Sequence, residues 1–162
     1  GFLMMVQGHI VIGAAVYIAA KRYFYGDSWY MAQGILIESL CVFLGVLLPD
    51  VDHPSSTIGK RVKWISYPVW AFFGHRGITH SLIFPLLIVF AGHYYNIPFM
   101  KWVALGVILH LLGDFLTPSG IPLFYPLRTS YRAPITIPTN GVGEAVFCLI
   151  AFGFSLFYTF NI

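Results

Sequence analysis

Five of the six histidines and three of the four aspartates in this chain fall in four short blocks whose chemistry is that of metal ligands. His9 stands in an early apolar run. Asp50, Asp52 and His53 stand in Pro49-Asp50-Val51-Asp52-His53-Pro54, and His75, Arg76 and His80 in His75-Arg76-Gly77-Ile78-Thr79-His80-Ser81. His110 and Asp114 close a later apolar run. Imidazoles mixed with carboxylates suit zinc, manganese or iron rather than calcium.

The spacing within each block supports ligation. His110 and Asp114, four apart, share one face of a helix and lie about 6 Å apart along its axis. Two prolines around Asp50 and Asp52 predict a segment held out of helix. In an extended stretch both carboxylates then point the same way. Gly77, free to take positive φ, is expected to fold the loop back between His75 and His80. Asp114 is surrounded by Leu111, Leu112, Phe115 and Leu116. A carboxylate at the centre of a bilayer costs about 2.5–3.5 kcal/mol, and a divalent cation is the strongest partner that could offset even part of that. Among the remaining polar residues, Glu144 reads equally as an extra ligand or a helix N-terminal charge. Glu38 reads as a buried hydrogen-bonding group and His93 as interfacial, while Cys41 and Cys148 read as apolar fillers.

The elements that must carry these blocks follow from composition. Hydrophobic residues make up 58% of the 162 and charged residues 9%, against roughly 25% charged in soluble proteins. Nine Lys and Arg with six Asp and Glu cannot build a water-facing surface, so lipid must solvate most of the outside. A net charge of +3 gives no reason to expect a nucleic-acid partner. A span needs roughly 20 apolar residues, and five stretches approach that, at about 3–20, 30–48, 81–95, 99–116 and 142–160. The expectation is an all-α integral membrane protein of one domain, residues 1–162, with about five transmembrane helices. Five spans put His9 and the connections 50–80 and 117–141 on one side, so all four blocks meet at one membrane face. That side carries Lys60, Arg61, Lys63, Arg76, Arg128 and Arg132, against Lys21, Arg22 and Lys101 opposite. The positive-inside rule makes it cytoplasmic. Lys60 to Phe73 mixes three cations with Trp64, Tyr67, Trp70 and Phe72, and reads as an element lying in the headgroup plane.

Gly8-His9 with Gly13, Leu47-Leu48-Pro49-Asp50-Val51-Asp52-His53, the His75 to Ser81 block, and His110-Leu111-Leu112-Gly113-Asp114 together resemble the YdjM family. The following Leu116-Thr117-Pro118-Ser119-Gly120 fits the same pattern. That resemblance implies a prokaryotic inner-membrane protein of a group described as metal-dependent hydrolases, some of them regulated by the LexA repressor. A fainter similarity is to zinc-dependent phospholipases C and single-strand nucleases, whose early His, Asp and helical HxxxD match His9, Asp50 or Asp52, and His110 with Asp114. No histidine follows Asp114, so this similarity implies one or two metals rather than three.

The function expected from these readings is a membrane-bound hydrolase using a divalent metal, zinc first and manganese or iron second. His9, Asp50, Asp52, His53, His75, His80, His110 and Asp114 are the candidate ligands, and Arg76 and His80 the candidate catalytic groups. A phosphoester on a lipid or lipid-linked molecule is the expected substrate, with membrane lipids as partners. The alternatives are a divalent-metal transporter and a noncatalytic metal-stapled scaffold. Transport sites sit near the bilayer midplane, often in repeats, and no repeat is visible here.

Overall fold

The computed structural model describes residues 6–26, 34–54, 56, 59–73, 77–127, 129–137 and 142–161. Six α-helices dominate: α1 (Val6–Tyr25), α2 (Ile35–Leu47), α3 (Lys63–Phe73), α4 (Ile83–Tyr94), α5 (Met100–Phe115) and α6 (Val142–Asn161). Among the described residues the β structure is one isolated antiparallel bridge, Ile121 to Tyr131. The helices expected from hydropathy are present, and the Lys60 to Phe73 segment supplies a short helix, α3.

α5 is the central helix. It packs against α2 most extensively, and also against α4 and α1, while α6 lies on α1. The α2–α5 crossing is a backbone contact: a Cβ on Gly106 would lie 2.1 Å from the Val42 carbonyl oxygen, and one on Gly45 2.1 Å from that of Val103. Small residues let helices approach this closely where lipid offers no hydrophobic drive to associate. On the flanks, Tyr17, Val42, Val46 and Leu109 form one buried cluster, and Val107, Leu111 and Ile121 another.

The outward faces are apolar. Leu36, Ile37, Leu40, Phe43 and Leu44 of α2, Leu86 and Phe90 of α4, and Leu149, Ile150, Phe154 and Phe157 of α6 are all exposed. One described helix, Val142–Phe160, is long and apolar enough to cross a membrane by length and composition, and Ile83–Tyr94 is a shorter apolar helix.

Two local expectations are corrected. Asp50 and Asp52 do not stand in an extended stretch, because Pro49–Asp52 forms a 3-10 turn that continues α2. Proline is tolerated at the first position of such a turn, where its missing N–H is not needed. With three residues per turn, Asp50 and Asp52 point apart. Gly77 takes a negative φ of −81° and leads into a second 3-10 turn, Ile78–His80, so the reversal before His80 does not use glycine's positive φ.

Beyond α5 the chain straps back over its C-terminus. The amides of Ala133 and Ile137 donate to the carbonyls of Phe115 and Leu116, and Leu82 N–H donates to Leu123. Carbonyls a helix end would otherwise leave unpaired are thereby satisfied.

Candidate metal centre

Four helical segments deliver side chains to one end of the bundle. α1 brings His9, the turn after α2 brings Asp50 and Asp52, the turn before α4 brings His80, and the last turns of α5 bring His110 and Asp114. All six are buried. Donor atoms of His9, His110 and Asp114 lie within 4.8 Å of one another, and so do those of Asp50, His80 and His110. The two groups share His110, are linked by the His80–Asp114 contact, and form one cluster.

Asp114 is its hub. One carboxylate oxygen is 3.4 Å from His9 Nε2; the other is 3.4 Å from His80 Nε2 and 3.6 Å from His110 Nε2. The rings of His9 and His110 stack at 4.1 Å, and His80 stands edge-on to His110 at 5.4 Å.

The far side of each ring shows which nitrogen carries the lone pair. His110 Nδ1 lies 2.8 Å from the Val46 carbonyl, which only accepts, so Nδ1 carries a proton, and in the neutral ring Nε2 turns its lone pair inward. His80 Nδ1 lies 3.2 Å from Asp52 Oδ2, and the same reasoning turns its Nε2 inward. Thr79 donates its hydroxyl to that same Asp52 oxygen, which fixes the carboxylate. A histidine whose second nitrogen donates to a carbonyl or carboxylate is the arrangement typical of metal-ligating imidazoles.

In neutral rings these lone pairs face a carboxylate across 3.4 to 3.6 Å and repel it unless a proton or a metal cation lies between them. Among the described residues, neither ring nitrogen of His9 makes a hydrogen bond, nor does Nε2 of His110. Each such buried group costs about 1–3 kcal/mol if left so. A cation would satisfy these atoms together, so the residues present fit a metal ion.

The remaining candidates are placed as follows. Asp52 joins neither donor group and braces His80. His53 is half-buried just past the turn, also outside both groups. His75 and Arg76 lie outside the described residues, as does Arg128. Glu144 is buried in the first turn of α6 and outside both groups. His93 is exposed at the far end of α4. Cys41 and Cys148 are free thiols, half-buried and buried respectively.

Three contributors escaped the sequence reading. The Val46 carbonyl carries no side-chain signal. Thr79 does, standing beside His80 in a block rich in ligands. Lys21, counted in the sequence only among the cations of the opposite side, is buried and ion-paired with Glu38. Tyr17 hydroxyl lies 3.3 Å from the same carboxylate, and the Lys21 ammonium lies 5.1 Å from the Trp102 ring centre. An acidic residue inside an apolar run needs a cation, and that side of the chain offers few, which is the signal that would have found it.

The family model described as YdjM inner membrane protein matches residues 4–161. Inner membrane protein YdjM of Escherichia coli strain K12 is 36% identical over 167 residues, covering 94% of this chain and 82% of the relative. YvsG of Bacillus subtilis strain 168 is 34% identical, covering 87% and 85%. Inner membrane protein YbcI of Escherichia coli is 35% identical over 96 residues, about half of each chain. No solved structure gives a significant match.

Proposed function

The chain belongs to the YdjM family of inner membrane proteins, and from that premise we propose that it is a metal-dependent hydrolase acting at the cytoplasmic membrane face. The observation carrying this reading is the convergence of His9, Asp50, His80, His110 and Asp114 on one buried pocket. Five donors exceed the four of a closed structural zinc site, and a surplus lets coordination change as substrate enters. Ligands about 2.1 Å from a tetrahedral zinc are about 3.4 Å from one another, close to the spacings around Asp114. Zinc is therefore the first choice.

In this proposal those five residues hold the ion, and Asp52 with Thr79 orients His80. A bound divalent ion supplies Lewis-acid activation of water and of an ester oxygen. Arg76, two residues into the block that ends at His80, is proposed to grip a phosphate through its two-pronged guanidinium. His53 and His75 flank the same pocket in sequence and are proposed as its outer partners. A phosphoester of a lipid or lipid-linked molecule fits a centre opening at the headgroup level.

α1, α2, α4, α5 and α6 are proposed to cross the bilayer. α2 and α4 reach the needed length with the 3-10 turns that extend them, and shorter spans are accommodated by local thinning. The position of the centre at one end favours hydrolysis over transport, whose sites sit near the midplane. The test is a panel of phosphoesters and carboxylic esters offered to purified protein with added zinc or manganese. Turnover that disappears in both Asp50→Ala and Asp114→Ala supports the reading. Folded, metal-loaded protein that cleaves none of them defeats it.

A further inference from the structure

α3 has two unlike faces. Outward, Trp64, Tyr67, Trp70 and Phe72 are exposed, Trp64 at 77% and Phe72 at 84%. Lys60 and Arg61 lead into it and Lys63 opens it, all three exposed, and residues 60–73 contain no acidic side chain. Inward, Ser66 is fully buried, and α3 packs on the turn that carries Asp50 and Asp52.

That inward face begins a continuous chain of hydrogen bonds. Ser66 hydroxyl donates to the Gly59 carbonyl at 3.2 Å, sharing its proton with the Val62 carbonyl at 3.3 Å; Gly59 N–H donates to Ser56 Oγ at 2.8 Å, and Ser56 hydroxyl donates to the Asp50 carbonyl at 2.6 Å. The relay has no slack at its middle. A Cβ on Gly59 would lie 1.9 Å from the His53 carbonyl oxygen. These bonds connect α3 to the backbone of Asp50.

We infer that α3 is a surface helix that binds anionic phospholipid headgroups, and that Ser66 and Ser56 couple this contact to Asp50 so that lipid charge sets how firmly the centre holds its metal. The occupant follows from the surface itself. Three cations beside a row of aromatic side chains match an anionic headgroup layer, with aromatic rings at the level of the acyl boundary. The inference rests on the metal centre proposed above and not on its hydrolytic activity. Ser66 and Ser56 act as positioning residues, through the backbone of Asp50.

The test uses the full chain loaded with cobalt(II) in nanodiscs of phosphatidylcholine alone, or of phosphatidylcholine mixed with phosphatidylglycerol. Cobalt release into excess chelator is followed by loss of its visible absorption. Release, unlike affinity, does not report the local metal concentration that an anionic surface raises. Wild-type protein is expected to release cobalt about three- to tenfold more slowly from the anionic discs, the factor set by about one hydrogen bond. A Lys60→Gln, Arg61→Gln, Lys63→Gln variant, altered only at exposed positions, is expected to release at one rate in both. Ser66→Ala, with its cations intact, is expected to lose the lipid effect as well. Equal wild-type rates in the two lipids overturn the proposal, and so does a lipid effect of the same size in all three proteins. Discs holding two chains, with equal wild-type rates, assign the face to a second copy and also overturn it. Lipid-dependent release without turnover of any ester leaves this inference standing while the hydrolase reading falls; turnover with lipid-blind release does the reverse.

Discussion

Replacing Gly106 with alanine strikes the crossing from which the centre hangs. The new Cβ would lie 2.1 Å from the Val42 carbonyl oxygen and 2.8 Å from both Gly45 Cα and Val46 N. Carbon and carbonyl oxygen approach to about 3.3 Å, so α2 and α5 must part by about 1.2 Å there. His110 lies one turn further along α5, and its 2.8 Å bond to Val46 would stretch toward about 4 Å, beyond hydrogen bonding. Overpacking of this kind costs about 1–3 kcal/mol. Loss of the bond that orients a metal-ligating histidine lowers metal affinity about 10- to 100-fold. Both effects are measurable on purified protein, as a lower melting temperature and a weaker zinc or cobalt titration. Gly153→Ala in α6 is the control, because among the described residues nothing lies within 4 Å of its Cβ. It should leave metal binding unchanged and stabilise the helix by about 0.5–1 kcal/mol. Folded Gly106→Ala protein that binds metal as the wild type does would refute the claim that Val46 sets the His110 ring.

Asp114→Ala should abolish stoichiometric metal binding, measured by metal analysis after gel filtration, because three imidazoles converge on that carboxylate. Asp52→Asn should weaken binding about 10- to 100-fold without abolishing it, as expected for a residue acting through His80. Stripping the ion with a chelator should lower the melting temperature. Restoring metal to 100 times its dissociation constant should return about 2.7 kcal/mol of stability, and an unchanged melt would count against a native site. Lys21→Met alone should destabilise the fold by about 3–5 kcal/mol by stranding the Glu38 carboxylate. The Lys21→Met, Glu38→Gln double variant should recover most of that loss in the same denaturation assay.

The helices could be read from the sequence because their signal is additive: apolar runs near 18 residues survive an error at either end. Convergence at one end was legible for the same reason, since helix parity alone carries His9, Asp50, His80 and Asp114 to a common face. What could not be read was the direction of each carboxylate. Pro49 as a helix breaker and Pro49 as the start of a 3-10 turn are equally compatible with the local sequence, and only packing against α3 and the His80 turn decides. The burial of Lys21 was not legible, because a lysine at the end of an apolar run is ordinarily solvated. Its burial depends on Glu38, seventeen positions later and on another helix. The Val46 carbonyl was invisible in principle, since every residue has one and only the glycine crossing selects it.

The two polar ends of the bundle explain each other. α1, α2 and α5 carry Tyr17 with Lys21, Glu38 and Trp102 at one end, and His9, Asp50, and His110 with Asp114 at the other. Between them Gly13, Gly45 and Gly106 leave no room for side chains to slip. Lys21 and His9 are twelve residues apart on α1, and Glu38 and Asp50 twelve apart along α2 and its turn, in each case about 18 Å of helix. Sliding α1 along α2 by one turn would therefore break the ion pair and the histidine cluster together. In lipid, uniform apolar surfaces give little preference among registers, so register comes from the close glycine contacts together with polar contacts that cannot be satisfied elsewhere. The Lys21–Glu38 pair fixes it at the end away from the histidine cluster, so the histidines and Asp114 at the other end need not set the register and can keep the spacing that a cation would require.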